Sequence, residues 1–593
     1  MTVAEPAQQN DSAIKTNGNV DHDGLVSGSS STSSSYPLHP NTWYRQDFGG
    51  YRVSEQPLYS RRPLKILATG AGATGIMIAY KVQKHLQDVE LVVYEKNHDI
   101  GGAWLENRYP GCACDVPSHS YQFPWNPNPE WSSYYSPATE IWQYFKDTVA
   151  KFDLEKYMRF NHKVLSATWD DDKAKWLCEV QRPDGTLFVD EADILLGSNG
   201  LLNKWKWPDI PGRDTFKGIL MHSAAWDTEV DLQGKVVAVI GAGSSGIQIV
   251  PNIRPVVKHL KNFVRSPIWL TSGFAPRFAG PDGNNFQYDE ETKKKFREDP
   301  EYEAAYCRKL ELEMISRYPQ FYTDSPEQQR AVVEATEKMK RHVKDPAKAE
   351  KLIPKFPVGC RRISPGNAYF EAFTHSNAEL VTSGVARITP SGVVDDDGKE
   401  HPVDVIICAT GFDTSYSPSY TVRGRNSLDL RTAYGDCPKT YLGIMVPDFP
   451  NFFSFLGPNS PVTHGSLFGI LEWHLRYSIK VIQKLQRENI KAIAPQHQAA
   501  DDYFQHTHEM MKRLVFSSPC SSWLKNGKSH GPVIAQYTGS RLHYSEATRE
   551  PRYEDFEIEY LTKNRFQYLG NGFTQLERDG KGDLTWFLSD PDL

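Results

Sequence analysis

LKILATGAGATGIMIAYKVQKHLQDVELVVYE, residues 64–95, decides the fold. LKILAT is a short apolar run of strand type, GAGATG is a glycine loop, IMIAYKVQKHL carries apolar residues at helical spacing, and ELVVYE is a second strand. Together they make one βαβ unit. A glycine loop that closes a strand and opens a helix lets backbone N–H groups and the helix N-terminus meet a pyrophosphate without side-chain obstruction. Gly70, Gly72 and Gly75, with Thr74 beside them, meet that need. Glu95 stands at the end of the second strand, where a carboxylate accepts hydrogen bonds from both ribose hydroxyls and disfavours a 2'-phosphate. A glycine pattern alone is a weak signal; here strand, helix and acid agree.

The same logic returns in KVVAVIGAGSSGIQIVPNIRPVVKHLKNFVRS, residues 235–266, through Gly241, Gly243, Ser244, Ser245 and Gly246. Where the first unit has its acid, the second has Arg265 followed by Ser266. A guanidinium pairs bidentately with phosphate oxygens and a serine hydroxyl adds a hydrogen bond, so this site is expected to prefer NADPH over NADH; the competing reading is a plain surface cation after a strand. Two unlike dinucleotide sites on one chain imply electron traffic. The acid-bearing site suits FAD, and the arginine-bearing site suits NADPH as hydride donor to the flavin.

The rest of the chain is consistent with an enzyme of this kind. It has 593 residues, with 67 Lys plus Arg against 73 Asp plus Glu and a net charge of -6, so no basic field invites nucleic acid. No leader-like or membrane-spanning apolar stretch is present, and a cytoplasmic location is expected. The eight cysteines are too sparse for a disulfide scaffold, which favours a reducing compartment, and Cys112–Cys114 lacks the companions of a metal site, so no metal is expected. Residues 1–35, with the run SGSSSTSSS, read as a disordered tail, and residues 36–60 as an aromatic arm packed on the body. The expected order is then a first FAD-binding part (61–205), an NADPH-binding domain (206–380) with a charge-rich helical insertion over 281–353 that has one solvated face, and a second FAD-binding part with the C-terminal region (381–593). The fold class is α/β with two Rossmann-like domains. Oligomeric state is not legible.

Two further stretches narrow the chemistry. DIGGAWLENRYPGCACD, residues 99–115, is similar to the GGxWxxxxYPGxxxD segment of type I Baeyer-Villiger monooxygenases, and FKGILMHSAAWD, residues 216–227, resembles their FxGxxxHxxxW[PD] fingerprint through Phe216, Gly218, His222, Trp226 and Asp227. With Ala409-Thr410-Gly411, the resemblance covers roughly residues 60–480. The N-terminal arm and C-terminal region look like fungal members that act on natural-product ketones.

The resemblance implies an FAD- and NADPH-dependent enzyme that takes O2 and a ketone, expected to be bulky and apolar, and inserts one oxygen beside the carbonyl. Its peroxyflavin must attack as an anion, which a fixed cation stabilises. In PVGCRRISPGNAYFE, residues 357–371, the resemblance implies Arg362 as the catalytic cation, Arg361 as the cofactor-phosphate cation, and Asp115 as the carboxylate that orients Arg362. It also implies cofactor contacts from Gly102, Trp104, Leu105, Glu106, Asn107, Asp115 and Tyr121. The chain departs from the family at Ala113, where a polar residue is common, at GSNG (197–200) in place of ATG, and after Arg362, where ISPGNAYFE lacks the aspartate of many bacterial relatives. His222 is read as structural. Tyr121 lines the flavin or packs in the core; GPNSP (457–461) borders the flavin or is a plain turn; Trp523 and Lys525 carry no assignment. The rival reactions are N- or S-oxygenation or hydroxylation, which need no adjacent guanidinium, and a non-enzymatic redox sensor binding both nucleotides.

Overall fold

The computed structural model describes residues 39–343 and 345–588; the tail assigned to residues 1–35 lies outside them. Residues 39–53 form a small unit in which the turn Thr42–Arg45 is capped by Asn41, and Trp43 sets its ring against Tyr44 and Phe48. Residues from Ser54 onward form the larger unit. Leu58 and Tyr59 already belong to it, through a hydrogen bond to Phe573 and a ring stacked on Tyr568.

Two five-stranded parallel sheets build the larger unit. The first runs Phe452–Ser454, Ile194–Gly197, Leu64–Thr69, Val89–Tyr94, Met158–Arg159, and the second Ala378–Val381, His259–Phe263, Val236–Ile240, Val405–Cys408, Ile219–His222. In each, the strand that feeds a glycine loop is central. Parallel strands covered on both faces must be apolar throughout, and Ile66, Leu67, Val237 and Val239 are all fully buried. Both sheets are α/β and Rossmann-like, as the two glycine stretches predict. The strand Val405–Cys408 pairs with Val236–Ile240, so the second sheet continues past the expected boundary at 380, and the Ala409-Thr410-Gly411 turn belongs to it. No helix among the described residues is long and apolar enough to cross a membrane.

The region 281–353 is helical. Its helices Glu290–Glu298, Pro300–Ser316, Pro326–His342 and Pro346–Leu352 start at Asp289, Asp299, Ser325 and Asp345, whose side chains accept from backbone N–H groups of the first turn. Proline at the first position of three of them costs nothing, because that N–H has no helical partner. Phe296, Leu310, Met314 and Met339 face inward. The charge-rich composition predicts a solvated face, yet Glu303, Glu313, Gln328 and Lys338 are buried as well.

The cysteines make no disulfide scaffold among the described residues, but two of them form a link that the sequence reading does not foresee. Cys360 and Cys520 form a disulfide across 160 positions of sequence, with Cα atoms 6.4 Å apart. Neither spacing nor count signals it, because the partners are brought together only by the tertiary fold.

Glu303 is buried and one of its oxygens meets no donor among the described residues; burial pushes its carboxyl from 4.5 up to about 7. Between those values the unfolded chain releases the proton and the folded chain keeps it, so stability falls as pH rises through that window. Glu303→Gln should therefore raise Tm relative to the wild type by about 2–4 °C at pH 8 and leave it unchanged at pH 5. Thermal melts at the two pH values check this, and equal shifts would show that the residue holds no proton.

Candidate active site

Each glycine loop is shaped by close backbone approach. Gly70 has φ +102° and Gly241 φ +108°, a region that side chains rarely adopt. A Cβ on Gly75 would lie 2.1 Å from the carbonyl oxygen of Gly70, and one on Gly246 would lie 2.4 Å from that of Gly241. The third glycine of each motif thus lets helix pack on strand, and neither residue faces the groove. Gly72 and Gly243 open it instead. Gly102, with φ +53°, approaches Gly72, so the 101–102 turn closes over the first loop.

At the ribose end of the first loop, Glu95 is buried and accepts from the N–H of Ala71 at 2.7 Å and of Asn97 at 2.8 Å. Burial raises its carboxyl above the usual range, against those two bonds. Glu106 stands beside it, held by Lys96 at 2.5 Å and by the Asn97 amide at 3.0 Å. Two carboxylates at this end suit a ribose diol and oppose a 2'-phosphate.

A cavity of 1340 Å³ joins the two loops. That exceeds the roughly 300–1,000 Å³ of a site for one drug-sized ligand, so it has room for two nucleotides. Gly70, Gly72, Thr74, Glu95, Gly102, Trp104, Glu106, Asp115 and Tyr121 line it from the first sheet's side, and Gly241, Gly243, Ser244, Ser245, Arg265, Ser266, Arg361 and Arg362 from the second's. Leu105 is instead buried in the core, because the short helix Ala103–Glu106 turns it inward. Asn107 donates to the carbonyl of Ala103 at 2.8 Å and borders a separate 470 Å³ cavity.

Arg361 lies close enough to Arg265 that, after burial, the second positive charge lowers its guanidinium further. Its buried Nε meets no acceptor among the described residues. Two adjacent cations with an unsatisfied donor between the second glycine loop and the groove are what a phosphate would satisfy. Arg362 donates to Asp115 Oδ1 at 2.5 Å. Burial works against its charge, but Asp115 outweighs this and holds the guanidinium above its ordinary value. Its cationic face also rests over Phe274.

Trp104 donates its indole N–H to the Tyr121 hydroxyl at 3.1 Å, and Tyr121 sets its edge against Phe468. Tyr121 therefore both packs and borders the cavity. Gln248 was not singled out by sequence reasoning: it donates to the carbonyl of Ala113 at 3.0 Å and accepts from the Tyr109 hydroxyl at 2.9 Å. It stands two positions after Gly246, and nothing local in the sequence marks the partners it reaches. His222, fully buried, accepts from the N–H of Ala224 and stacks on Trp205, and burial lowers its basicity. Asn459 of GPNSP has φ +61° and donates to the carbonyls of Val533 and Gln536, which makes it a turn; its neighbours Leu456 and Val462 reach the cavity. Trp523 lines the cavity too.

Two nucleotide loops opening on one groove, with an ion-paired arginine where they meet, define a two-dinucleotide flavin oxidoreductase. A family model for an NAD(P)-binding Rossmann-like domain matches residues 69–138. The FAD-binding monooxygenase tazF of Aspergillus terreus is 39% identical over 538 residues, covering 90% of this chain and 96% of that protein. A Baeyer-Villiger monooxygenase of Streptomyces coelicolor is 31% identical over 500 residues, covering 84% and 92%. Among solved structures, cyclohexanone monooxygenase from Rhodococcus sp. Phi1 bound to NADP+ superposes with a TM-score of 0.72 at 27% identity, covering 84% of this chain and all of that one. The chain belongs to the FAD-binding monooxygenase family that includes the Baeyer-Villiger enzymes, and it uses FAD and NADPH.

Arg265→Ala should weaken NADP+ binding by about 1.5–3 kcal/mol while leaving NAD+ affinity within twofold, the difference expected for one charge-assisted phosphate contact. Titration of the flavin-loaded enzyme with each nucleotide measures it, and equal losses would remove Arg265 from the phosphate site.

Proposed function

We propose that the enzyme inserts one atom of O2 beside the carbonyl of a bulky, apolar ketone, giving an ester or lactone. NADPH, a proton, O2 and the ketone are consumed, and NADP+, water and the oxygenated product leave. FAD, when bound and reduced, supplies the electrons that activate dioxygen. Gly70, Gly72 and Glu95 would hold it on one side of the groove, and Gly241, Gly243, Arg265 and Arg361 would hold NADPH on the other.

The observation that carries this reading is the Arg362–Asp115 pair in the groove both loops share. Oxygen insertion builds negative charge on the substrate's carbonyl oxygen, and a fixed cation stabilises it without losing a proton. Asp115 points the guanidinium and restricts it, so little reorganisation is left for the reaction itself. N- or S-oxygenation makes no such demand. The apolar side of the cavity, from Leu201, Leu456, Val462, Phe468 and Leu471, supports a large hydrocarbon-rich ketone and excludes water from the reacting atoms.

Arg362→Ala should still bind flavin, with an unchanged visible spectrum, and lose ester or lactone formation by about 100- to 1,000-fold, as expected on removing one donor to a developing oxyanion. Mass spectrometry of ketone incubations reads the gain of one oxygen. Wild-type product yield from the variant would overturn the assignment.

A further inference from the structure

The disulfide sits against the arginine pair. Cys360 immediately precedes Arg361 and Arg362, and Cys520 immediately precedes Ser521, Ser522 and Trp523, all of which line the same groove. Both half-cystines are buried. Residues 361–363 lie outside any strand, and the chain is next secured at the two-residue pairing of Leu270–Thr271 with Ser364–Pro365. Upstream, Val358 is gripped by Gln328, which donates to its carbonyl at 2.8 Å and accepts from its N–H at 3.1 Å. Lys525, also buried, brings its Nζ within 4.0 Å of Cys360 Sγ and 3.9 Å of Cys520 Sγ, and donates to the carbonyl of Ser518.

We propose that Cys360 and Cys520 are positioning residues: their bond, braced by Lys525, clamps the arginine loop to the Trp523 loop and thereby sets the geometry of the NADPH side of the groove. The proposal rests on Arg361 and Arg362 facing the cofactors. Without the bond, the segment between Val358 and Ser364 keeps the ties of Arg361 to the Pro267 carbonyl and of Arg362 to Asp115 but loses its covalent link to the Trp523 loop. Reduction by a dithiol passes two electrons and two protons to the sulfurs, leaving two thiols here and a disulfide in the reductant. Hydrogen peroxide reverses it: two thiols give up two electrons and two protons, and two waters form. Lys525 aids this return, since burial and Arg361 push its amine down to about 8, where a neutral fraction can take a thiol proton and a charged fraction can hold the thiolate.

The test uses flavin-loaded enzyme. Alkylation under denaturing, non-reducing conditions followed by peptide mapping should recover Cys360 and Cys520 as one linked pair. NADP+ titration should then show an affinity loss of roughly tenfold on treatment with dithiothreitol, the size of one charge-assisted contact, and recovery after peroxide. The share of NADPH electrons released as hydrogen peroxide should rise and fall in step, which a purely stabilising bond would not cause. Cys520→Ser should bind NADP+ like the reduced wild type and ignore both reagents; if that variant does not fold, the wild-type cycle carries the test alone. Two cysteines that alkylate freely before and after peroxide, or equal NADP+ affinity and equal peroxide release in both states, would overturn the clamp. An NADP+ affinity that cycles while no ketone is oxygenated in either state would uphold the clamp and sink the proposed reaction instead.

Discussion

A guanidinium held 2.5 Å from a carboxylate, half-buried in the groove that both glycine loops share, is the interaction on which the rest of the architecture turns. A buried charge is tolerated only when it is paired and hydrogen-bonded. Asp115 meets that condition for Arg362, and the two come from distant parts of the chain, so both nucleotide modules must be in place before the pair exists. Neither module alone contains it. The arginine loop follows the helical region, whereas the aspartate closes the segment after the first glycine loop.

The glycines impose the second constraint. Positive φ at Gly70 and Gly241, and the absence of a Cβ at Gly75 and Gly246, bring strand, loop and helix close enough that backbone N–H groups present themselves to the groove. The same chain geometry is used twice, and chemistry distinguishes the two copies only at their rims: Glu95 and Glu106 on one, Arg265 and Arg361 on the other.

Most of this was legible in the sequence because it is local. A βαβ unit writes strand, glycine loop, helix and rim residue within some thirty consecutive positions, and both copies appear where their motifs lie. The 281–353 region was legible as helical from its composition, rich in Glu, Lys, Arg and Gln with scattered apolar residues, although its Asp and Ser caps were not read. Tertiary juxtapositions were not. The disulfide joins positions 160 apart, Gln248 reaches across to Tyr109 and Ala113, and the strand Val405–Cys408 crosses the expected boundary to join the second sheet. Leu105 was assigned to the cofactor by its place in a motif, but a single turn of helix points it into the core. Burial of Glu303 is likewise invisible in a composition that looks uniformly hydrophilic.

Gln248 has an effect larger than its two hydrogen bonds. It rides on the helix whose N-terminus faces the second nucleotide, while Tyr109 and Ala113 belong to the segment that carries Asp115. Ala113 lies two residues before Asp115, so the helix, the carboxylate and the arginine form one chain of contacts. One amide thus joins the helix behind the second glycine loop to the segment that carries the arginine's carboxylate.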